Sequence, residues 1–164
     1  MAKITLKNLS HSYLSNQNRN EDWALRDINI DWKDGGAYAL LGPSGCGKTT
    51  LLNIISGLLR PTKGEVLFDD KDMTSLNPVE RDIAQIFQFP VIYDTMTVYN
   101  NLAFPLKNRG LSEIEIDTKV KEIGEMLELT STLHKKASGL TADGKQKISL
   151  GRGLVRSDVN VIMF

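Results

Sequence analysis

The sequence predicts an α/β fold with a helical segment inserted into it, and three observations carry this. Short apolar or alternating stretches typical of strands occur toward both ends of the 164-residue chain. A glycine-rich stretch stands between an apolar segment, Tyr38 to Leu41, and a helical pattern built on Leu51, Leu52, Ile54, Ile55 and Leu58. From about Phe89 to Ser138 the periodicity changes to that of helices. Composition agrees: 41% of residues are hydrophobic and 24% charged, as in ordinary globular chains. Lys plus Arg and Asp plus Glu both number 20, so overall charge does not hold this protein to nucleic acid. Its one cysteine, Cys46, excludes an internal disulfide framework. The apolar runs fall far short of the roughly 20 residues that cross a bilayer, and the N-terminus lacks a secretory block, so a soluble, cytoplasmic chain is expected.

The elements follow in order. Ile4 to Leu9 alternates as a short strand, and Ser15 to Asp22 is a polar, Asn-rich loop. In Leu25 to Trp32 the alternation places Ile28, Ile30 and Trp32 on one strand face. Asp34-Gly35-Gly36 marks a turn, and Tyr38 to Leu41 reads as a strand buried on both faces. The helix after the glycine-rich stretch ends near Gly57, with Pro61 beyond it. Gly64 to Phe68 and Ile83 to Phe87 are strand segments. Ser112-Glu113-Ile114-Glu115 has capping-box spacing, with Leu111 and Ile116 placed as a hydrophobic staple. Ile116, Val120, Ile123 and Leu127 continue at helical spacing. Lys145 to Arg156 reads as a further helix and Val159 to Phe164 as a final strand. His11 and His134 have no second ligand at metal-site spacing and read as packing or surface residues.

Chemistry concentrates in Gly42, Pro43, Ser44, Gly45, Cys46, Gly47, Lys48 and Thr49, which satisfy G-x-x-x-x-G-K-[ST] in full. Glycines let successive N–H groups turn inward toward an anion, and the helix that begins near Gly47 adds the positive end of its dipole. Lys48 then reaches the β- and γ-phosphates, Thr49 gives its hydroxyl to Mg²⁺, and Thr50 donates to the α-phosphate. Cys46 reads as a small side chain on a loop that works through its backbone. A phosphate loop alone does not name a function.

The wider sequence resembles the ATP-binding subunits of ABC transporters over nearly its whole length. Gly42 to Leu58 is similar to that family's extended phosphate loop and helix. Pro61 to Glu65 resembles its return into an antiparallel β-lobe, and Ile83 to Gln88 the strand ending in its Q-loop glutamine. The resemblance implies a P-loop NTPase core with an antiparallel β-lobe and an inserted helical subdomain, incomplete at the C-terminus. Residues 1–88 would form the β-lobe and phosphate-loop core, about 89–156 the Q-loop and helical subdomain, and 157–164 the start of the next core strand. Gln88 would carry its amide to Mg²⁺ and the attacking water, acting with Lys48; Gln85 competes but lies inside the strand. Tyr13 would stack on adenine, with Trp23 and Tyr38 as rivals. The apolar cluster Phe89 to Tyr93 would either pack internally or meet a helix of the membrane subunit.

Leu140, Thr141, Ala142, Asp143 and Gly144 align with the signature segment that caps a partner's ATP, but Ala142 and Asp143 stand where two glycines are expected. A carboxylate facing the γ-phosphate would oppose closure by about 4 kcal/mol at about 4 Å and an effective dielectric near 20. Asp143 is therefore expected to point away, capping a helix that begins near Gly144. The segment either supports hydrolysis as a variant or forms a weakened site completed by a different subunit. The implied cofactors are ATP and Mg²⁺. The implied partners are a second ATPase subunit, as homodimer or heterodimer, and transmembrane permease subunits, without nucleic acid. The implied place is the inner face of the cell membrane, and the implied task is import of a small solute such as a sugar or polyol, with a glycerol-type importer the nearest likeness; the alternative is a non-transport regulatory or interaction module. Val159 to Met163 resembles the strand leading to the Mg²⁺-binding Asp and water-polarising Glu, and the sequence stops before them. Purified residues 1–164 are accordingly expected to be poorly soluble and to release little or no phosphate from ATP; measured turnover in a phosphate-release assay overturns this.

Overall fold

The computed structural model describes residues 1–15 and 19–164. The chain forms two compact units, Met1–Ile83 and Ala84–Phe164. Part of the polar loop read at Ser15 to Asp22 lies outside the described residues; Asn20–Asp22 form one turn of 3₁₀ helix.

The first unit is built on strands β1 (Ile4–His11), β2 (Leu25–Trp32), β3 (Lys63–Phe68) and β4 (Lys71–Asp72), in the order β2-β1-β3-β4. The pairs are antiparallel, as expected for the β-lobe. β1 runs past the expected Leu9 because its alternation is reset in the middle. Leu6 pairs with Ile30 and Leu9 with Ile28, so three steps on β1 oppose two on β2. Asn8, with φ of 49°, sits within this bulge. The extra residue brings both Leu6 and Leu9 to the buried side despite their odd spacing. β2 matches its expected span and carries a reciprocal irregularity, since Leu9 to His11 opposes Ile28 to Leu25.

Tyr38 to Leu41 departs from expectation. It is neither a ladder strand nor buried: it belongs to neither sheet, and Leu41 is 91% exposed. An apolar run becomes a strand only where a neighbour accepts its backbone bonds, and neither sheet among the described residues supplies one.

Helix α1 (Lys48–Ser56) buries Leu51, Ile54 and Ile55. It ends at Gly57, whose φ of 81° is left-handed and whose N–H donates to the Ile54 carbonyl. The C-terminal carbonyls are closed by a residue outside the helix. Arg81, 1% exposed, donates through one terminal nitrogen to the carbonyls of Ile54 and Ile55, at 2.7 and 2.8 Å. Its Nε donates to Leu76 O, and its other terminal nitrogen to Thr74 O. Burial lowers its pKa and the nearby Asp72 carboxylate opposes that, yet a guanidinium stays protonated at neutral pH. A buried cation at a helix C-terminus is stabilised by the dipole as well as by these bonds. Gly57 makes room for it, because a Cβ there would lie 2.8 Å from Arg81 Nε.

The second unit contains β5 (Ile83–Gln85, which starts on the last residue of the first), α2 (Val98–Lys107), α3 (Glu113–Met126), α4 (Ala142–Leu154) and β6 (Val161–Met163). β5 and β6 form a two-stranded sheet, extended by Ile86 N–H donating to Met163 O. Both strands are shorter than the apolar runs that announced them. Val98, Leu102 and Ala103 of α2, Ile116, Val120 and Ile123 of α3, and Ile148 of α4 share one buried core. Gly151 lets α4 approach closely, since a Cβ there would lie 2.6 Å from Leu102 Cδ2. The capping box is formed as read: Ser112 accepts from Glu115 N–H and Glu115 accepts from Ser112 N–H. The staple residues Leu111 and Ile116 both join the core. α4 begins three residues earlier than expected, because Thr141 caps it and accepts from Gly144 N–H.

Replacing Arg81 by Met removes a donor from four buried or half-buried carbonyls, of which Ile54 O keeps the Gly57 N–H. Arg81→Met is expected to lower unfolding free energy by about 2–4 kcal/mol, read as a lower urea midpoint with unchanged slope.

Candidate phosphate-binding site

The glycine-rich segment Gly42 to Gly47 leads directly into α1. Gly45 and Gly47 take left-handed φ values of 83° and 92°. Gly47 is constrained further, since a Cβ there would lie 2.6 Å from the Ala24 carbonyl oxygen and 2.8 Å from Leu25 Cδ2. A side chain at Gly47 would therefore meet backbone at the start of β2, whereas one at Gly45 would meet open space.

The first turn of any α-helix has N–H groups without intrahelical acceptors. In α2, α3 and α4 the side chains of Thr97, Ser112 and Thr141 cap that turn. In α1 the N-cap is Gly47 and no side chain caps it. The helix following the glycine-rich loop thus keeps its end open to an anion, with Gly42 to Cys46 exposed around it.

Lys48 folds back over the loop. Its ammonium donates to Gly42 O at 2.7 Å and Pro43 O at 2.8 Å, and lies 3.6 Å from Cys46 Sγ. Loop carbonyls thus solvate the charge where an anion can later replace them. Thr49 is exposed on the first turn and Thr50 is buried. Tyr13 Oη lies 3.1 Å from Thr50 Oγ1, yet the tyrosine is 66% exposed. Its ring stands at 88° to that of His11, with centroids 4.7 Å apart. His11 is a buried packing residue: Thr62 Oγ1 meets its Nδ1 at 3.3 Å, its Nε2 has no hydrogen-bond partner among the described residues, and burial lowers its pKa. Of the rival aromatics, Trp23 lies under the Lys63 ammonium and Tyr38 stacks on Trp32. Tyr13, Lys48, Thr49 and Thr50 are thus assembled around one helix end in the first unit.

Gln88 belongs to the second unit, exposed just beyond β5. The chain after it is held by two residues that sequence reasoning left without a role. Asn101, fully buried in α2, accepts from Tyr93 N–H and donates to the carbonyls of Tyr93 and Thr97. Arg152 donates to Val91 O at 2.6 Å and lies 4.8 Å from the Tyr93 ring centre. Phe87, Phe89, Val91 and Tyr93 nonetheless remain exposed. A polar residue within the apolar face of α2 was the available signal for Asn101; nothing local marks Arg152.

Leu140 to Gly144 surrounds the start of α4. Thr141, Ala142 and Asp143 are exposed. Asp143 does not cap the helix as expected; Thr141 does. The Asp143 carboxylate, 80% exposed, lies 3.9 Å from Lys147 Nζ one turn along the helix.

A glycine-rich loop with a lysine–threonine pair, opening a helix left uncapped, defines a P-loop nucleotide-binding fold. Its particular family is shown by comparison: the chain belongs to the ABC transporter family, whose model matches residues 25–163. It is 44% identical over 139 residues to the trehalose/maltose import ATP-binding protein MalK of Thermococcus litoralis, covering 81% of this chain and 37% of that protein. It is 38% identical over 164 residues to the sn-glycerol-3-phosphate import ATP-binding protein UgpC of Cupriavidus metallidurans, covering 100% of this chain and 43% of that one. The chain thus spans about two fifths of the length of these relatives. Among solved structures it superposes on cbiO1 of Clostridium perfringens, part of the ABC transporter complex cbiONQ, with a TM-score of 0.81 and 26% identity over 93% of this chain and 61% of that one. It also superposes on the ADP conformation of MJ1267, an ATP-binding cassette of an ABC transporter, with a TM-score of 0.74 and 28% identity over 94% of this chain and 65% of that one.

The loop geometry separates two glycines. Gly47→Ala is expected to abolish detectable ATP binding, because both the left-handed φ and the Ala24 carbonyl oppose it. Gly45→Ala meets only the backbone strain, about 1–2 kcal/mol, and is expected to weaken binding without abolishing it. Titration calorimetry on both variants checks the order.

Proposed function

We propose that this chain is the ATP-binding part of an ABC importer subunit, which binds ATP with Mg²⁺ at Gly42 to Thr50 and couples its turnover to uptake of a small solute. The observation that carries this is the uncapped start of α1 beside Lys48, in a chain 38–44% identical to import ATP-binding proteins. The loop N–H groups and Lys48 take the phosphates, with Thr50 on the α-phosphate. The exposed Tyr13 ring receives adenine by stacking.

In the first unit the Thr49 hydroxyl, an exposed hard oxygen on the first turn of α1, fits Mg²⁺. In the second unit Gln88 is exposed and carries an amide that does not titrate. Mg²⁺ would neutralise phosphate charge when bound; Gln88 would orient the water. In the signature segment, Thr141 holds the start of α4 and the Asp143 carboxylate lies toward Lys147. This supports the reading that the segment still meets the ATP of a second ATPase subunit. Its partners would further include membrane permease subunits, met through the exposed Phe87, Phe89 and Val91, on the inner face of the membrane. Among the described residues no helix is long and apolar enough to cross a membrane. Relatives named for a disaccharide and for a glycerol phosphate match comparably well, so the solute class proposed is sugars and polyols.

Lys48→Ala is expected to weaken ATP binding at least about a hundredfold, since it removes a charge-assisted contact to phosphate and its charge. Co-purification of the protein with integral membrane proteins, and loss of solute uptake in cells carrying Lys48→Ala, are the expected outcomes. Co-purification with ribosomes or DNA, or uptake unaffected by Lys48→Ala, overturns the reading.

A further inference from the structure

Tyr13 touches α1 through its hydroxyl as well as offering a ring face. We propose that Tyr13 is a positioning residue for the phosphate end of the nucleotide, acting through Thr50, in addition to being a platform for the base. The inference rests on the reading of Gly42 to Thr50 as an ATP site.

The Oη–Oγ1 distance is 3.1 Å, and either oxygen is chemically able to donate. A phenol is a stronger acid than an aliphatic alcohol, so Tyr13 donates and Thr50 accepts. A hydroxyl that accepts one hydrogen bond still owns its own proton, which is then free for an anion at the open end of α1. The two bonds form a chain, phenol to alcohol to phosphate, in which each polarises the next.

The ring is held so that its hydroxyl meets this residue. His11 packs against it edge-on at 4.7 Å, and the His11 ring is in turn met by Thr62, just before β3. His11 ends β1 and Tyr13 stands two residues beyond it, so the edge-on contact with a strand residue and the bond to Thr50 turn the phenol toward α1. Two-thirds of the tyrosine nonetheless stays exposed, leaving a ring face for a base. One side chain thereby serves both ends of a nucleotide, which a phenylalanine at the same place would not do.

The test is a double-mutant cycle in nucleotide binding, with Tyr13→Phe, Thr50→Val and the double variant titrated with ATP and with inorganic triphosphate. Tyr13→Phe keeps the ring and removes the hydroxyl. It is expected to weaken both ligands about three- to tenfold. In the Thr50→Val background the same change is expected to have no further effect. Thr50→Ser, which keeps the hydroxyl, is expected to retain the response to Tyr13→Phe. Urea midpoints of the variants separate a folding defect from a binding one. Unchanged triphosphate affinity in Tyr13→Phe overturns the relay and leaves Tyr13 a base platform only. Tighter binding in Tyr13→Phe also overturns it, by showing that the contact competes with the ligand. If the unmutated protein binds neither ligand, the ATP-site reading fails and the relay falls with it. If ATP binds but Tyr13→Ala leaves its affinity unchanged, the ATP site stands and both roles of Tyr13 fall.

Discussion

The site depends on how the two ends of one short helix are satisfied. α1 presents unpaired donors at its start and unpaired acceptors at its finish, as every α-helix does. The protein closes the finish with a buried guanidinium brought from Arg81 and leaves the start without a side-chain cap. The three other α-helices among the described residues receive ordinary threonine or serine caps. The two ends are thus treated differently: the last carbonyls are held by a distant side chain, and the first N–H groups are left for a ligand. Lys48 fits the same logic, because its charge rests on loop carbonyls that a phosphate can replace.

The second unit applies similar physics to a different task. Its three α-helices share an apolar core, and two of its polar side chains, Asn101 and Arg152, hold the segment after Gln88. Asn101 acts as a buried backbone substitute, answering both the N–H and the carbonyl of Tyr93. Arg152 then lays its cation over the same ring and reaches Val91 O. Apolar side chains are thus presented outward from a segment whose backbone is pinned from behind, an arrangement that suits contact with a partner without first having to order the chain.

Much of this was legible from residue order, where the controlling interactions are local. The capping box at Ser112 and Glu115, the end of α1 at Gly57 and the alternation of β2 all depend on neighbours a few residues away, and all were readable. The phosphate loop was readable because its motif encodes backbone shape. What sequence missed is long-range. The Arg81 bonds to Ile54 and Ile55 span more than 25 positions. The Arg152 bond to Val91 spans about 60. The bulge at Asn8 is set by pairing partners on both sides, not by a local turn signal. Asp143 was credited with a cap that Thr141 makes, because both residue types cap well and only geometry distinguishes them.

Tyr38 to Leu41 joins neither sheet, with Leu41 almost wholly in water. Four consecutive residues there combine apolar side chains with backbone groups that no ladder engages. Such a stretch is a template: any extended chain that comes alongside gains hydrogen bonds and buries leucine and tyrosine together. Its natural satisfaction is a strand set beside it; without one, its readiest substitute is another copy of itself. The residues leading into the phosphate loop are therefore also where self-association of this chain would begin.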